Sequence, residues 1–359
     1  MSIERNCRLI TQDPNDVVTY VSGSEVSPLL IQGDALDVLR ALPDCCIDCA
    51  ITSPPYYMKR EYVGGGIGLE PTWQEYVDDL VAICAEVYRV LKPTGSFWLN
   101  IGDSYHEKSL IMVPERVAMK LTDEVGFTLR NHVVWNKLKG APDNAKDKMR
   151  TLWESVFFFT KSPSGYYYDM DAARKPPRKA KSTKHGAVVS ATGVSGVRYK
   201  RKIELSTVLT DEEKANAMAA LEDMLALVES GEVPDFRMVI RGASRTTHGD
   251  STKLSGRAKE LADKGFYFLK YSKKGANISD VWDIIPEDTQ NRKTHYAPYP
   301  EDLVKNPIAL TCPEGGIVLD PFVGTGTTCK VARDMGRRSI GIDLGLEYLE
   351  SAEERLCML

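Results

Sequence analysis

Two stretches of this chain, about 28–162 and about 277–359, alternate short apolar runs with segments of helical spacing, and that alternation restricts the fold more than any other feature. Strands read from Leu29 to Gln32, Ile47 to Thr52, Ser96 to Ile101, His132 to Asn136, Ser155 to Thr160, Ile317 to Leu319 and Ser339 to Ile342. Between them, helical spacing covers 73–91, stopped by Lys92-Pro93-Thr94-Gly95, and 113–125, followed by Gly126. Two further helices read over 327–335 and 347–356. Strands separated by helices cannot join as hairpins, so they predict an α/β chain built on a parallel, doubly wound sheet.

The stretch 163–276 breaks the rhythm. It opens on Pro, Lys and Arg and holds one well-marked helix, with Thr210 and Glu213 as its capping box and Gly231 beyond its end. From Ala172 to Lys202 there are ten Lys/Arg and no Asp/Glu, although the whole chain carries −4. Such a run is a solvated loop or a surface for a polyanion; its Pro, Gly and Ser content predicts a mobile segment. The boundaries expected are 1–162, 163–276 and 277–359. No run reaches the roughly 18 apolar residues of a membrane helix, and the first residues, MSIERNCRLI, do not have the pattern of a signal peptide. Among the eight cysteines only Cys45, Cys46 and Cys49 cluster, and no second pair completes a tetrahedral zinc set. They read as small buried hydrophobes of a reducing cytoplasm, and no metal is expected.

Two segments carry chemistry. Asp320-Pro321-Phe322-Val323-Gly324-Thr325-Gly326-Thr327-Thr328 follows a strand and opens a helix. Its glycines permit a tight turn and a close approach of a ligand to the backbone, and Asp343, ending the next strand, offers a carboxylate to ribose hydroxyls. By itself this suits an adenosine-containing ligand, or a turn that binds nothing. The second segment, Thr52-Ser53-Pro54-Pro55-Tyr56-Tyr57, closes the strand from Ile47. Two prolines stiffen the chain and remove two N–H donors, which leaves carbonyls, a hydroxyl and an aromatic ring. That rim suits a planar ligand bearing an amino group: Ser53 and the Pro54 carbonyl accept its hydrogens, and Tyr56 stacks on it.

Ser53-Pro54-Pro55-Tyr56 together with Asp320–Thr328 resembles the amino-methyltransferases of DNA found in restriction–modification systems. Gly33-Asp34 matches the acidic motif before the catalytic strand, and Asn100-Ile101-Gly102-Asp103 the segment after the next one. His295-Tyr296-Ala297-Pro298-Tyr299-Pro300 is similar to the motif lining the methionine end of the cofactor pocket, with Tyr299 where Phe is usual. The order, catalytic motif first and cofactor loop last, resembles the permuted β class. The resemblance implies a Rossmann-like seven-stranded sheet in circularly permuted motif order, an inserted target-recognition region over 163–276, and S-adenosylmethionine as cofactor. It places Asp34, Asp320, Phe322, Gly324, Thr325, Gly326, Thr327, Asp343 and His295 around that cofactor, and Ser53, Pro54, Pro55 and Tyr56 around the target base.

The implied reaction is methyl transfer to an exocyclic amino nitrogen of a base flipped out of double-stranded DNA. Acceptors on its two hydrogens localise the nitrogen lone pair, and transfer is an in-line displacement. The family's cytosine-N4 enzymes usually carry Ser at the position of Ser53 and its adenine-N6 enzymes Asp or Asn, which favours cytosine N4, with adenine N6 the alternative. Cytosine C5 chemistry needs a Cys after Pro, and the chain has no such pair. Arg174, Lys175, Arg178, Lys179, Lys181 and Lys184 are the expected phosphate contacts. The cysteines already point to a cytoplasmic enzyme; a homodimer and a cognate restriction endonuclease are what the resemblance alone implies. A nicotinamide-dependent oxidoreductase would account for the glycine turn and Asp343, but Cys329 stands where its third glycine belongs. Asp103 is either a helix cap or a site residue, and the five tryptophans read as packing.

Overall fold

The computed structural model describes residues 10–13, 15–24, 26–60, 65–140, 144–176, 181–182, 188–189, 196–242, 256–287 and 299–357. They form two compact units, 1–173 with 279–359, and 174–278.

The larger unit is built on one sheet. Its strands are β1 (Ile10–Thr11), β2 (Leu29–Gln32), β3 (Ile47–Thr52), β4 (Leu91–Ile101), β5 (Thr128–Asn136), β6 (Trp153–Thr160), β7 (Val281–Asp283), β8 (Ile317–Asp320) and β9 (Arg338–Asp343). Across the sheet they run β1-β2-β9-β8-β3-β4-β6-β5-β7. Only β6 is antiparallel to its neighbours. Arg338–Asp343 pairs directly with Leu29–Gln32, and Ile317–Asp320 lies one strand further in, against Ile47–Thr52. The short edge strands β1 and β7 had no signature in the sequence.

Both faces of the sheet are covered, which is why β3 is buried at all six positions. Successive residues of a strand point to opposite faces. Ile31, Phe97 and Leu99 meet helices α1 (Asn15–Ser22), α2 (Ala35–Ala41), α3 (Trp73–Val90) and α4 (Val113–Lys120) in one core. Leu30 instead packs with Cys329 of α6 (Thr327–Asp334) and with Leu349 and Ala352 of α7 (Leu346–Cys357). Trp98 points the same way as Leu30 and donates its indole N–H to Thr311 Oγ1 at 3.0 Å, on α5 (Glu301–Thr311). A capping box starts α3: Thr72 Oγ1 accepts Glu75 N–H at 3.2 Å and Glu75 accepts Thr72 N–H at 3.1 Å. Its apolar residues Tyr76, Val77, Leu80, Val81, Cys84 and Val87 recur at helical spacing and are all buried. Asp103 serves as a helix cap. Its carboxylate accepts the N–H groups of Met112 and Val113, both at 3.0 Å, and so caps α4. Cys46 and Cys49 are buried in this unit and Cys45 is exposed.

The smaller unit has its own core. Helix Asp211–Glu229 carries the capping box of Thr210 and Glu213, and strands Phe236–Ile240 and Phe266–Lys270 pair antiparallel. The end of the basic run is not a loop: Gly196–Glu204 is a helix that buries Tyr199 and Ile203 against Leu221, Met224 and Phe236. The boundaries also differ from those expected. Residues 163–173 belong to the larger unit, tied to it by Asp169 N–H donating to Leu310 O at 2.7 Å.

Candidate active site

Strands β2, β9, β8, β3 and β4 all point the same way, so their carboxyl ends lie along one edge of the sheet. The two C-terminal strands sit between β2 and β3, where the strand order reverses. Doubly wound sheets open a crevice at such a point. Here it is a cavity of about 1080 Å³, lined on one side by the turn after β8 and on the other by the residues after β3.

The turn after β8 is held from behind. Asp320 is 1% exposed and accepts four hydrogen bonds: Thr52 Oγ1 at 2.7 Å, Thr328 Oγ1 at 2.5 Å, Tyr299 OH at 2.8 Å and Phe322 N–H at 3.1 Å. It therefore ties β8 to β3, to the start of α6 and to Tyr299, below the floor of the cavity. Burial raises its pKa, and burial followed by the neighbouring Asp320 raises that of Tyr299. Gly326 opens α6 with φ +78°, and a Cβ there would stand 2.8 Å from the Cβ of Ala352, so both backbone and packing demand glycine. Phe322, Gly324, Thr325 and Thr327 line the cavity.

Asp343 ends β9 and faces the same space. Its oxygens accept Gly324 N–H and Gly345 N–H, each at 2.9 Å. Each carboxylate oxygen accepts more than one hydrogen, so these bonds orient Asp343 without exhausting it. Burial pushes its pKa up from 3.8 to about 6. Asp34 is the N-cap of α2, with Oδ1 accepting Leu36 N–H at 2.9 Å and Asp37 N–H at 3.2 Å, and it too lines the cavity.

On the opposite wall, Ser53, Pro54, Pro55 and Tyr56 form the rim beyond β3. Tyr76 OH donates to Pro55 O at 2.8 Å and anchors that rim to α3. Gly102, at the end of β4, lies under the Tyr56 ring so closely that a Cβ would fall 2.5 Å from Tyr56 Cε2. The Tyr56 hydroxyl is 3.2 Å from Ser53 Oγ, 3.2 Å from Asn100 Oδ1 and 2.8 Å from Glu154 Oε2. Burial, then the Glu154 charge, hold its pKa far above the usual tyrosine range. Glu154 Oε1 accepts from Lys137 Nζ, and Asn100 Nδ2 donates to Glu154 Oε2 at 3.2 Å.

Ser53, Pro54, Pro55, Tyr56, Asp34, Phe322, Gly324, Thr325, Thr327 and Asp343 thus share one cavity, with Asp320 beneath it. Glu154 and Lys137 line it as well and were not read from the sequence. Their only signal was a charged residue inside the aromatic run Trp153–Thr160. His295 lies outside the described residues, as do Arg178, Lys179 and Lys184, and Lys181 is described only as part of a short strand. In the smaller unit, Arg174 donates to Asn277 Oδ1 at 2.6 Å and to Gly275 O at 3.2 Å, and Lys175 pairs through its backbone with Ala276. The basic residues that frame a cleft there are Arg198, Arg201 and Lys202, together with Val197, Leu205 and Val208.

Comparison with known proteins agrees with this arrangement. A family described as DNA methylase, specific for N6 or N4 amino groups, matches residues 47–354. The type II methyltransferase M.SfiI of Streptomyces fimbriatus is 30% identical over 89% of each chain. M.XycI of Xanthomonas campestris pv. cyanopsidis is 29% identical over 91% of this chain and 87% of its own. Among solved structures, the fold is similar to that of PvuII DNA methyltransferase (cytosine-N4-specific), with a TM-score of 0.53 at 18% identity, over 93% of this chain and 91% of that one.

Proposed function

The chain belongs to the N6/N4 family of DNA methylases, and from that premise we propose that it methylates the exocyclic N4 of cytosine at a specific site in double-stranded DNA, as the modification enzyme of a type II restriction–modification pair. The cofactor of the family is S-adenosylmethionine. The cavity suits it: a glycine turn that admits a ligand to the backbone, two carboxylates, Asp343 and Asp34, placed for hydroxyl donors, and a volume of about 1080 Å³ that exceeds the cofactor's needs. When bound, S-adenosylmethionine supplies an electrophilic sulfonium methyl group.

The protein's own residues prepare the acceptor nitrogen. An exocyclic amine is a poor nucleophile because its lone pair is delocalised into the ring. Ser53 Oγ and the Pro54 carbonyl accept its two hydrogens, which favours a pyramidal nitrogen with a localised lone pair. Tyr56 stacks on the extruded base and offsets part of the few kcal/mol that unstacking costs. The observation that carries this reading is Ser53, a neutral acceptor, at the rim of the cavity that the glycine turn also lines. A serine here also supports cytosine over adenine, by the residue usual at this position in each group.

The smaller unit would be the target-recognition module. The cationic cleft of Arg198, Arg201 and Lys202, bordered by the exposed Leu205, suits a phosphate backbone with apolar contacts beside it. The test of the whole reading is mass spectrometry of nucleosides from unmodified, mixed-sequence DNA treated with the protein and S-adenosylmethionine bearing a deuterated methyl. Labelled N4-methylcytosine is expected. Labelled N6-methyladenine would overturn the choice of base, and no label would overturn the activity.

A further inference from the structure

We propose that Glu154 is a positioning residue that fixes the direction of the Ser53 hydrogen bond, acting through the Tyr56 hydroxyl. The proposal rests on the reading that Ser53 receives the target amino group. A serine hydroxyl can donate or accept, and an amino group needs an acceptor. If Ser53 turned its own hydrogen toward the base, two donors would face each other. Something must commit that hydrogen elsewhere.

The network around Tyr56 does so. The tyrosine has one hydrogen and stands beside two acceptors, Glu154 Oε2 at 2.8 Å and Asn100 Oδ1 at 3.2 Å. Asn100 cannot turn its amide round, because its Nδ2 donates to Glu154 Oε2 and to Ser155 O, both at 3.2 Å. Glu154 in turn is held by Lys137, which donates to Oε1 from the far side. The Tyr56 hydrogen is therefore committed, and toward Ser53, 3.2 Å away, it presents only lone pairs. Ser53 must donate to Tyr56, so the Oγ that faces the cavity is an acceptor. The carboxylate of Glu154, 13% exposed, is the end of the chain that sets the polarity.

Glu154→Gln tests this. Lys137 requires an oxygen on its side, so the new amide N–H faces Tyr56 and takes away the nearer of its two acceptors; the Tyr56 hydrogen is then shared between Asn100 Oδ1 and Ser53 Oγ, both 3.2 Å away, and Ser53 is no longer held to one direction. Single-turnover methyl transfer should fall by roughly 10–100-fold, the scale of one misdirected buried hydrogen bond. The dissociation constant for S-adenosylmethionine should stay within about twofold. In a Ser53→Ala background no hydroxyl remains to be directed, so adding Glu154→Gln should change the rate less than about threefold. An equal loss with and without Ser53, or no loss in Glu154→Gln alone, overturns the proposal while leaving the role of Ser53 standing. A wild-type rate in Ser53→Ala overturns the underlying reading, and the proposal with it. If Glu154→Gln does not fold, the same cycle run with Tyr56→Phe decides the matter: its loss must vanish once Ser53 is gone, and an additive loss overturns the proposal.

Discussion

Gly102→Ala adds one methyl group beneath the Tyr56 ring, and the structure fixes what that methyl would do. Its carbon would lie 2.5 Å from Tyr56 Cε2, 2.8 Å from Cδ2 and 3.3 Å from Cζ, where an ordinary contact begins at 3.4 Å. The ring must move by about 0.9 Å, the difference between the first and last of these distances. It has little room to do so. Its hydroxyl is bonded to Glu154 at 2.8 Å, and the backbone on either side is held by Tyr76 OH on Pro55 O at 2.8 Å and by Lys59 N–H on Tyr56 O at 3.2 Å. Overpacking of this kind costs about 1–3 kcal/mol of stability. A catalytic group displaced by ~1 Å can lose about 10²-fold in rate.

The expected outcome is therefore a kcat lowered about 100-fold, with cofactor affinity little changed, since Gly102 lies beyond β4 and away from the glycine turn. Single-turnover transfer of labelled methyl to DNA measures the first, and titration calorimetry with S-adenosylmethionine the second. A double-mutant cycle locates the cause: in a Tyr56→Ala background the clash has no partner, so Gly102→Ala should be nearly neutral to stability. A folded Gly102→Ala protein turning over within about threefold of wild type would refute the idea that Tyr56 must sit where it does.

Asp320→Ala leaves three hydroxyls and one N–H without their shared acceptor, and should cost about 3–5 kcal/mol in urea unfolding, since each buried donor left unsatisfied costs about 1–3 kcal/mol and some of the four can find new partners; a loss below about 1 kcal/mol would show that the network rearranges freely. Asp343 has its pKa raised from 3.8 to about 6, so its contribution to stability is fully present below about 3.8 and is lost as pH rises through about 6. The wild type should thus gain on Asp343→Asn as pH falls from 7.5 to 4, by at most about 3 kcal/mol for a shift of about two units, and a gap between the two that ignores pH would contradict this. Replacing both Arg198 and Arg201 by alanine should weaken DNA binding and reduce the slope of log K against log salt by about 0.9 for each phosphate no longer neutralised; an unchanged slope would move the phosphate contacts elsewhere.

The parts of the site legible in the sequence are those the chain encodes locally. The rim Ser53–Tyr56 and the turn Asp320–Thr327 each sit at a strand end marked by its own prolines or glycines, and the parallel alternation placed those ends on one edge. Which way a strand-end carboxylate faces is not encoded locally. Asp320 and Asp343 each end one of two adjacent strands, but Asp320 pairs with Gly341 and Asp343 reaches two residues further; one is sealed under the cavity floor by Thr52, Thr328 and Tyr299 while the other lines the cavity. Those three partners come from three separate stretches, and only the fold assembles them. The basic helix Gly196–Glu204 was hidden for another reason: of its nine residues only Tyr199 and Ile203, with the glycine at its start, are buried, too few apolar marks to show a period.

Glu154 illustrates the limit most sharply. It stands 98 residues from Tyr56 in sequence, and its strand β6 reaches the site only because it inserts antiparallel between β4 and β5. Pairing of Asn100 with Val156, and of Asn136 with Trp153, brings Asn100, Glu154 and Lys137 to one end of three adjacent strands. Glu154 stands at the cavity end of β6, three residues before Phe157–Phe159, and its 13% exposed carboxylate carries a desolvation cost that an apolar residue would avoid. Its presence calls for a role that an apolar residue cannot fill. Directing a hydroxyl is such a role, because it needs an acceptor that cannot also donate, held by a cation on its far side. Among the charged side chains that line this wall, Glu154 with Lys137 behind it meets both conditions.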